Sequence, residues 1–394
     1  MGGTRMSAPP FDAALLDRLM EQAGMDVLLA TSKPAVQYLL GGYRFHFFEH
    51  ADAIGQSRYL PVLAYARGQA DRAGYIGHRM EKGQQAVEPL WVPEVRNLSG
   101  TSTDAMRHAV DYLRALGIAS PRIGIERAFL PADALQVLQD AYPNSALPDA
   151  LPVLERLRAV KTEAEIGMLR HASDSVIDAM LAVMQGHGPG TTKRDLVEAL
   201  KREEAMRGLG FDYCLITAGT SLNRAPSEER WEAGGILSLD SGGHYQGYIG
   251  DVCRMAIQGE PDSELQDLLA EIDGIQQAAF RAVRAGAPGG AVYAAAEAAL
   301  RDAPNRERLD FLAHGMGLVS HEVPHLTATG PIPYGAEDAD RPLQANMVLS
   351  IETTLPHPKR GFIKLEDTVV VRPDGYEILG DRGRGWNRGG TAPR

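Results

Sequence analysis

LSLDSGGHYQGYIGDVCR, Leu237 to Arg254, sets two carboxylates in facing β-like runs. Asp240 closes Gly235-Ile236-Leu237-Ser238-Leu239-Asp240, and Asp251 sits in Gly247-Tyr248-Ile249-Gly250-Asp251-Val252-Cys253. A hairpin turning between Tyr245 and Gln246 places Asp240 opposite Asp251, within about 5.5 Å between Cα atoms. Like charges directly opposed destabilise a sheet, so this pairing predicts something positive between them. A lone carboxylate is also expensive to bury among apolar neighbours, a cost that falls when several share a cation.

The arrangement repeats downstream. Glu352 ends Met347-Val348-Leu349-Ser350-Ile351-Glu352, and Glu366 lies in Phe362-Ile363-Lys364-Leu365-Glu366-Asp367-Thr368-Val369-Val370. A loop centred on Lys359 brings these two glutamates opposite one another. His314 lies between the two pairs in sequence. Any one acid in this acidic chain reads most simply as a solvated strand-end carboxylate. Four of them, each flanked by apolar and β-branched residues, favour a shared cation site. Two divalent ions held this way would point to hydrolysis by a metal-activated water.

On these residues the chain resembles the pita-bread metallohydrolases: methionine aminopeptidase, aminopeptidase P, prolidase and their metal-free relative creatinase. The matching segments are LSLDSGGHYQGYIGDVCR, AHGMGLVSHEVP, MVLSIETTLP and KLEDTVVV, with RAVKTEAEI near residue 160. The resemblance implies an α+β chain, with a creatinase-type α/β domain over 8–150 and a pita-bread catalytic domain over 153–380. It also implies the roles of the ligands. Asp240 would hold one ion, Asp251 and Glu366 would bridge the pair, and His314 and Glu352 would complete it. Bridging carboxylates hold two ions about 3.5–4 Å apart, and a hydroxide shared between them forms near neutral pH. Oxygen-rich ligation with one imidazole suits Mn²⁺, with Co²⁺ or Zn²⁺ open.

By the same resemblance, His321 is the histidine that touches substrate and stabilises the tetrahedral intermediate. Glu352 would also shuttle a proton from the attacking water to the leaving nitrogen. The implied activity is cleavage of a C–N bond by an Xaa-Pro dipeptidase or aminopeptidase. A specialised non-peptide amide or amidine hydrolase, or a lyase, stays open as the alternative.

Three features bear on the substrate. Lys364 lies two residues before Glu366 and so shares its face. Proline-gripping peptidases usually carry Arg there; Lys keeps the charge without the bidentate fork. It could pair with a substrate carboxylate or neutralise the cluster. The peptidases also carry a further histidine shortly before the first Asp ligand. Here Thr217 to Pro226 contains none, and Asn223 or Arg224 takes its place. Arg224 could bind an anionic group and Asn223 could supply one hydrogen bond; a solvent-facing loop is the plainer reading. Finally, Tyr43 to His50 concentrates aromatic residues. In this branch the N-terminal domain often reaches the active site of the dimer partner, which makes His46 a candidate substrate contact. A packed interface is the alternative. Cys253, on the face of Asp251, reads as a buried inert thiol.

Composition agrees. A chain of 394 residues suits two or three domains. A formal charge of −11 argues against nucleic acid or an anionic membrane as partner. Two cysteines imply no disulfide framework, which fits a reducing cytoplasm. The start, Met1 to Met6, shows no signal peptide, and no apolar run reaches about 18 residues. The expected partners are a small peptide or amide and a second copy of the chain.

Along the first 150 residues, helical spacing marks Phe11 to Gly24, Asp104 to Leu116 and Ala132 to Ala141. Strands are expected at Val27 to Ala30, Tyr59 to Tyr65, Ala73 to Ile76 and Ile123 to Ile125. Pro143, Pro148 and Pro152 mark the domain boundary. Thr162 with Glu165 forms a capping-box signature, and helices are expected over Thr192 to Met206 and Glu264 to Ala285. The Gly- and Arg-rich tail, 381–394, reads as disordered.

Overall fold

The computed structural model describes residues 8–50, 55, 58–118, 120–332 and 334–390. Met6 and the last four residues of the tail lie outside that set. The chain forms two compact units that divide between Arg158 and Ala159.

In the first unit, β1 (Val27–Ala30), β2 (Val62–Ala66), β3 (Gly74–His78), β4 (Glu94–Ser99) and β5 (Ile123–Ile125) form one mixed sheet ordered β4-β3-β2-β1-β5. Its helices are α1 (Ala13–Gln22), α2 (Lys33–Leu39), α3 (Lys82–Val87), α4 (Ser102–Ala115), α5 (Ala132–Ala141) and α6 (Leu151–Arg158). Strands β1 and β2 are buried at every residue, as expected of strands covered on both faces. The proline-marked boundary lies too early: α6 buries Val153, Leu154 and Leu157 in the core of the first unit. Three apolar residues at helical spacing outweigh Pro152, which is tolerated in a first helical turn.

The second unit begins with α7 (Glu163–Gly186). Its capping box forms as the sequence predicts: Thr162 N donates to Glu165 Oε2 at 2.7 Å, and Glu165 N to Thr162 Oγ1 at 3.2 Å. Then come β6 (Thr191–Thr192), α8 (Lys193–Met206), β7 (Gly210–Ala218), β8 (Arg230–Trp231), β9 (Ile236–Tyr245), β10 (Tyr248–Ile257), α9 (Ser263–Ala282) and α10 (Ala291–Arg301). Strands β11 (Asp310–Gly315), β12 (Val348–His357), β13 (Gly361–Arg372), β14 (Gly375–Leu379) and β15 (Asn387–Arg388) complete it. The main sheet runs β11-β12-β13-β10-β9-β7, with β14 on β13 and β15 on β10. Alternation assigns the faces. Leu349, Ile351 and Leu355 of β12 and Ile363, Leu365 and Val369 of β13 pack with α9 and α10 in one core. Leu237 and Leu239 of β9 pack with α7 and α8 in another. The residues between them face the other way.

Among the described residues, no helix is long and apolar enough to cross a membrane. The tail departs from the expected disorder. Trp386 Nε1 donates to Leu265 O at 3.0 Å, and β15 pairs in parallel with β10. Arg382 Nη1 reaches Asp174 Oδ1 at 2.5 Å. Composition suggests disorder only for a segment without partners, and here acids spread along the unit are waiting for these arginines.

Candidate metal centre

Glu352 and Glu366 face each other as expected, closing a hairpin around Lys359. The first hairpin differs. Asp240 pairs with Cys253, and Asp251 with Gly242. The turn lies at Gln246 and Gly247, both left-handed, with φ of 51° and 85°. Two left-handed central residues make the tight two-residue turn that fits strand twist. It shifts the pairing by two residues, which moves the partners but keeps the faces. Asp240 and Asp251 are therefore diagonal neighbours.

The face then assembles itself. Cys253 pairs with Glu366 across β10 and β13, Glu366 with Glu352, and Ser350 with His314. Residues paired across strands, or two apart along one, share a face. Asp240, Asp251, Glu366, Glu352 and His314 thus all project from one side of the sheet. Their ligand atoms form three overlapping groups, each within 4.8 Å: Asp240, Asp251 and Glu366; His314, Glu352 and Glu366; and Asp251, His314 and His321. His321 stacks on His314 with ring centroids 3.8 Å apart.

Lys364 reaches into this cluster. Its Nζ lies 2.7 Å from Asp240 Oδ2 and 2.9 Å from Glu366 Oε2, and also contacts Glu352 Oε2. These contacts are those of a cation that neutralises the cluster; pairing with a substrate carboxylate stays open as its other role. Arg224 also contacts Asp240 Oδ2, with its guanidinium 4.8 Å from the centroid of Phe362. Asn223 does not join the site. Its side chain accepts from Ala225 N at 3.1 Å and donates to Glu229, because an Asx turn satisfies it within its own loop. His46 belongs to the other unit, exposed in a short 3₁₀ turn with its ring 5.6 Å from those of Phe47 and His50.

Burial raises the carboxyls of Asp240, Asp251 and Glu366, and acidic neighbours push Asp251 and Glu366 further. Burial opposes the charge on Lys364, but Asp240, Glu352 and Glu366 outweigh it and hold the ammonium firmly protonated. Burial lowers His314 to about 4; it lowers His321 to about 4 as well, with His314 adding to the effect. Both imidazoles are therefore neutral, the form that ligates a metal. Burial also keeps the Cys253 thiol protonated and inert.

The donor set fits divalent cations. Among the described residues, the side-chain cations that contact these carboxylates are Lys364, on Asp240, Glu352 and Glu366, and Arg224, on Asp240. His314 Nε2 is buried without a hydrogen-bond partner, 4.0 Å from Glu366 Oε1. A buried acceptor left in this way calls for an ion or a donor.

The surroundings hold residues that the sequence reading missed. Ser350 Oγ donates to Glu366 Oε1 at 2.7 Å, and Thr368 Oγ1 to Asp251 O at 3.2 Å. Both lie two residues from a ligand, so strand parity could have found them. The Tyr213 hydroxyl bonds Asp251, with its ring in the space left by Gly242, where a Cβ would fall 2.5 Å away. Tyr334 OH bonds His321 Nδ1; nothing in the sequence links those two. Next to His321, Glu322 pairs with Lys161 at 3.0 Å, both side chains buried.

Comparison with known proteins identifies the family. The pattern of Metallopeptidase family M24 matches residues 167–373. The chain belongs to metallopeptidase family M24. The Creatinase/Prolidase N-terminal domain matches residues 14–160. The M24 chain is 32% identical to the probable dipeptidase PepE of Mycobacterium tuberculosis, over 95% of this chain and 96% of that one. It is 24% identical to the Xaa-Pro dipeptidase of Pyrococcus horikoshii, over 81% and 90% of the two chains. The crystal structure of dipeptidase PepE from Mycobacterium ulcerans superposes with a TM-score of 0.73, at 26% identity over 95% and 96%. The fold is thus a creatinase-type N-terminal domain followed by a pita-bread catalytic domain. Membership of M24 makes the chain a metallohydrolase and implies divalent metal ions.

Proposed function

We propose that this M24 chain is an Xaa-Pro dipeptidase or aminopeptidase that uses two divalent ions, with Mn²⁺ favoured. The observation that carries the reading is the convergence of Asp240, Asp251, His314, Glu352 and Glu366, with Glu366 shared between two of the groups. The Xaa-Pro dipeptidase named among its relatives supports the substrate class. Bound ions would supply a water that loses its proton near neutral pH. The protein's own groups do the rest. Asp240, Asp251, His314, Glu352 and Glu366 would hold the ions, with Asp251 and Glu366 the residues that would serve both. Glu352, on the same face, carries the proton toward the leaving nitrogen. Tyr334 can donate to Nδ1 of His321 and leave its proton on Nε2, the nitrogen free to face the oxyanion.

A second reading has its own observation. By the resemblance, Asn223 or Arg224 takes the place of a peptidase histidine, and Arg224 contacts Asp240. That suits a small amide bearing an anionic group next to the scissile bond. We further propose a homodimer in which His46 meets substrate in the partner's pocket.

The test is product release from Xaa-Pro dipeptides, longer Xaa-Pro peptides and non-peptide amides after metal stripping and Mn²⁺ reloading. Mn²⁺-dependent Xaa-Pro cleavage, lost in Asp251→Ala, is expected. Metal binding without peptide cleavage transfers the assignment to the amide hydrolase. In the same panel His46→Ala should change KM and substrate preference; unchanged values would remove His46 from the site.

A further inference from the structure

The carboxylates of Asp251 and Glu366 stand on β10 and β13, and these strands register at a single pair, Cys253 with Glu366. Beyond it they splay, and β15 takes the edge of β10 at Ala256 and Ile257. At the splay, on the side away from the ligands, lies Arg254, fully buried. Its Nη1 donates to the carbonyls of Cys253 and Glu366, each at 2.9 Å. Its Nη2 donates to Asp367 Oδ1 at 2.7 Å and Gly380 O at 3.1 Å, and its Nε to Arg382 O at 2.7 Å. All five guanidinium donors are used, three on the strands β10 and β13 and two on the C-terminal segment.

Arg384, from that segment, takes the other oxygen of Asp367. Its second nitrogen contacts Asp273 and donates to Gln276 Oε1 at 2.9 Å. Gln276 in turn donates to Ile351 O at 2.6 Å, the residue before Glu352. One network therefore grips the backbone at Glu366 and beside Glu352. Asn387 secures the segment by donating to Met255 O at 2.9 Å and Gly383 O at 2.8 Å.

We propose that residues 380–387 are a strap, and that Arg384, working through Asp367, Arg254 and Gln276, is a positioning residue that sets the spacing of the metal ligands from behind the sheet. The inference rests on the reading of the five residues as a metal centre. Supporting partners behind metal ligands typically change affinity about 10–100-fold when removed. Removing Arg384 leaves one oxygen of Asp367 buried without its cation, and β13 can relax beside Glu366.

The experiment titrates Mn²⁺ into metal-stripped full-length protein by calorimetry, alongside Tm of the EDTA-treated protein. Arg384→Met is expected to raise the Mn²⁺ Kd about 10-fold or more, with Arg384→Lys restoring part of the loss. A folded Arg384→Met protein with wild-type Mn²⁺ affinity overturns the proposal. If Arg384→Met does not fold, Gln276→Met carries the test: weaker Mn²⁺ binding is expected and unchanged binding overturns it. A wild-type protein that binds no metal would overturn the metal reading itself, an outcome separate from equal affinities in wild type and variant.

Discussion

A Cβ built on Gly315 would fall 2.3 Å from the carbonyl carbon and oxygen of Val323 and 2.4 Å from Pro324 N. These are backbone atoms, so no side chain can swing aside. Gly315 follows the proposed ligand His314, and Val323 comes two residues after His321, so this contact constrains the distance between the two histidines. Gly315→Ala should destabilise the protein by about 1–3 kcal/mol and weaken metal binding, read by thermal melting and Mn²⁺ titration. An unchanged Tm would show that the loop yields freely. Gly317 differs, since the atoms nearest its added Cβ would be side-chain atoms of Glu322 and Lys161. Lys364 lies on the same face as the carboxylates, as parity predicts, and contacts Asp240, Glu352 and Glu366 there.

At the level of elements, α8 carries a buried acid behind the ligand strand β9. Ser241 Oγ lies 2.6 Å from Tyr213 O and 3.2 Å from Glu204 Oε1. One hydroxyl proton serves one acceptor, and the shorter contact goes to Tyr213. Glu204 Oε2 is buried without a hydrogen-bond partner among the described residues, and burial pushes the carboxyl up to about 8. A raised folded-state value means the native protein binds the proton more tightly than the unfolded chain. The contribution of Glu204 to stability is therefore greatest below about 4.5 and is lost as pH rises from there through about 8. Glu204→Gln should flatten Tm between pH 5 and 8 and stabilise the protein by on the order of 1–2 kcal/mol at pH 8. A pH profile parallel to wild type would sink the assignment. Strands such as β12 and β13 were legible as apolar, β-branched runs, and parity alone puts Lys364 and Glu366 on one face. The register of the β9–β10 hairpin was not, because Gln246 gives no signal of a left-handed turn. The strap was illegible for another reason. Arg382 and Arg384 are ordered by Asp174, Asp273 and Asp367, and no local pattern announces partners so distant in sequence.

For the whole molecule, the division of the cores has a thermodynamic consequence. The hydrophobic clusters of the first unit end at Leu157, and those of the second begin at Ala159. All five proposed ligands and His321 fall in the second unit. A ligand that binds only the native state stabilises by about 2.7 kcal/mol at one hundred times its Kd, and that gain belongs to the unit holding the site. Calorimetric unfolding with Mn²⁺ and with EDTA should therefore show two transitions, only one of which moves with metal. Truncating nothing and changing only the metal keeps both units present as the reference for each other. A single transition shifting as a whole would mean that the units unfold together and that the metal centre steadies the entire chain.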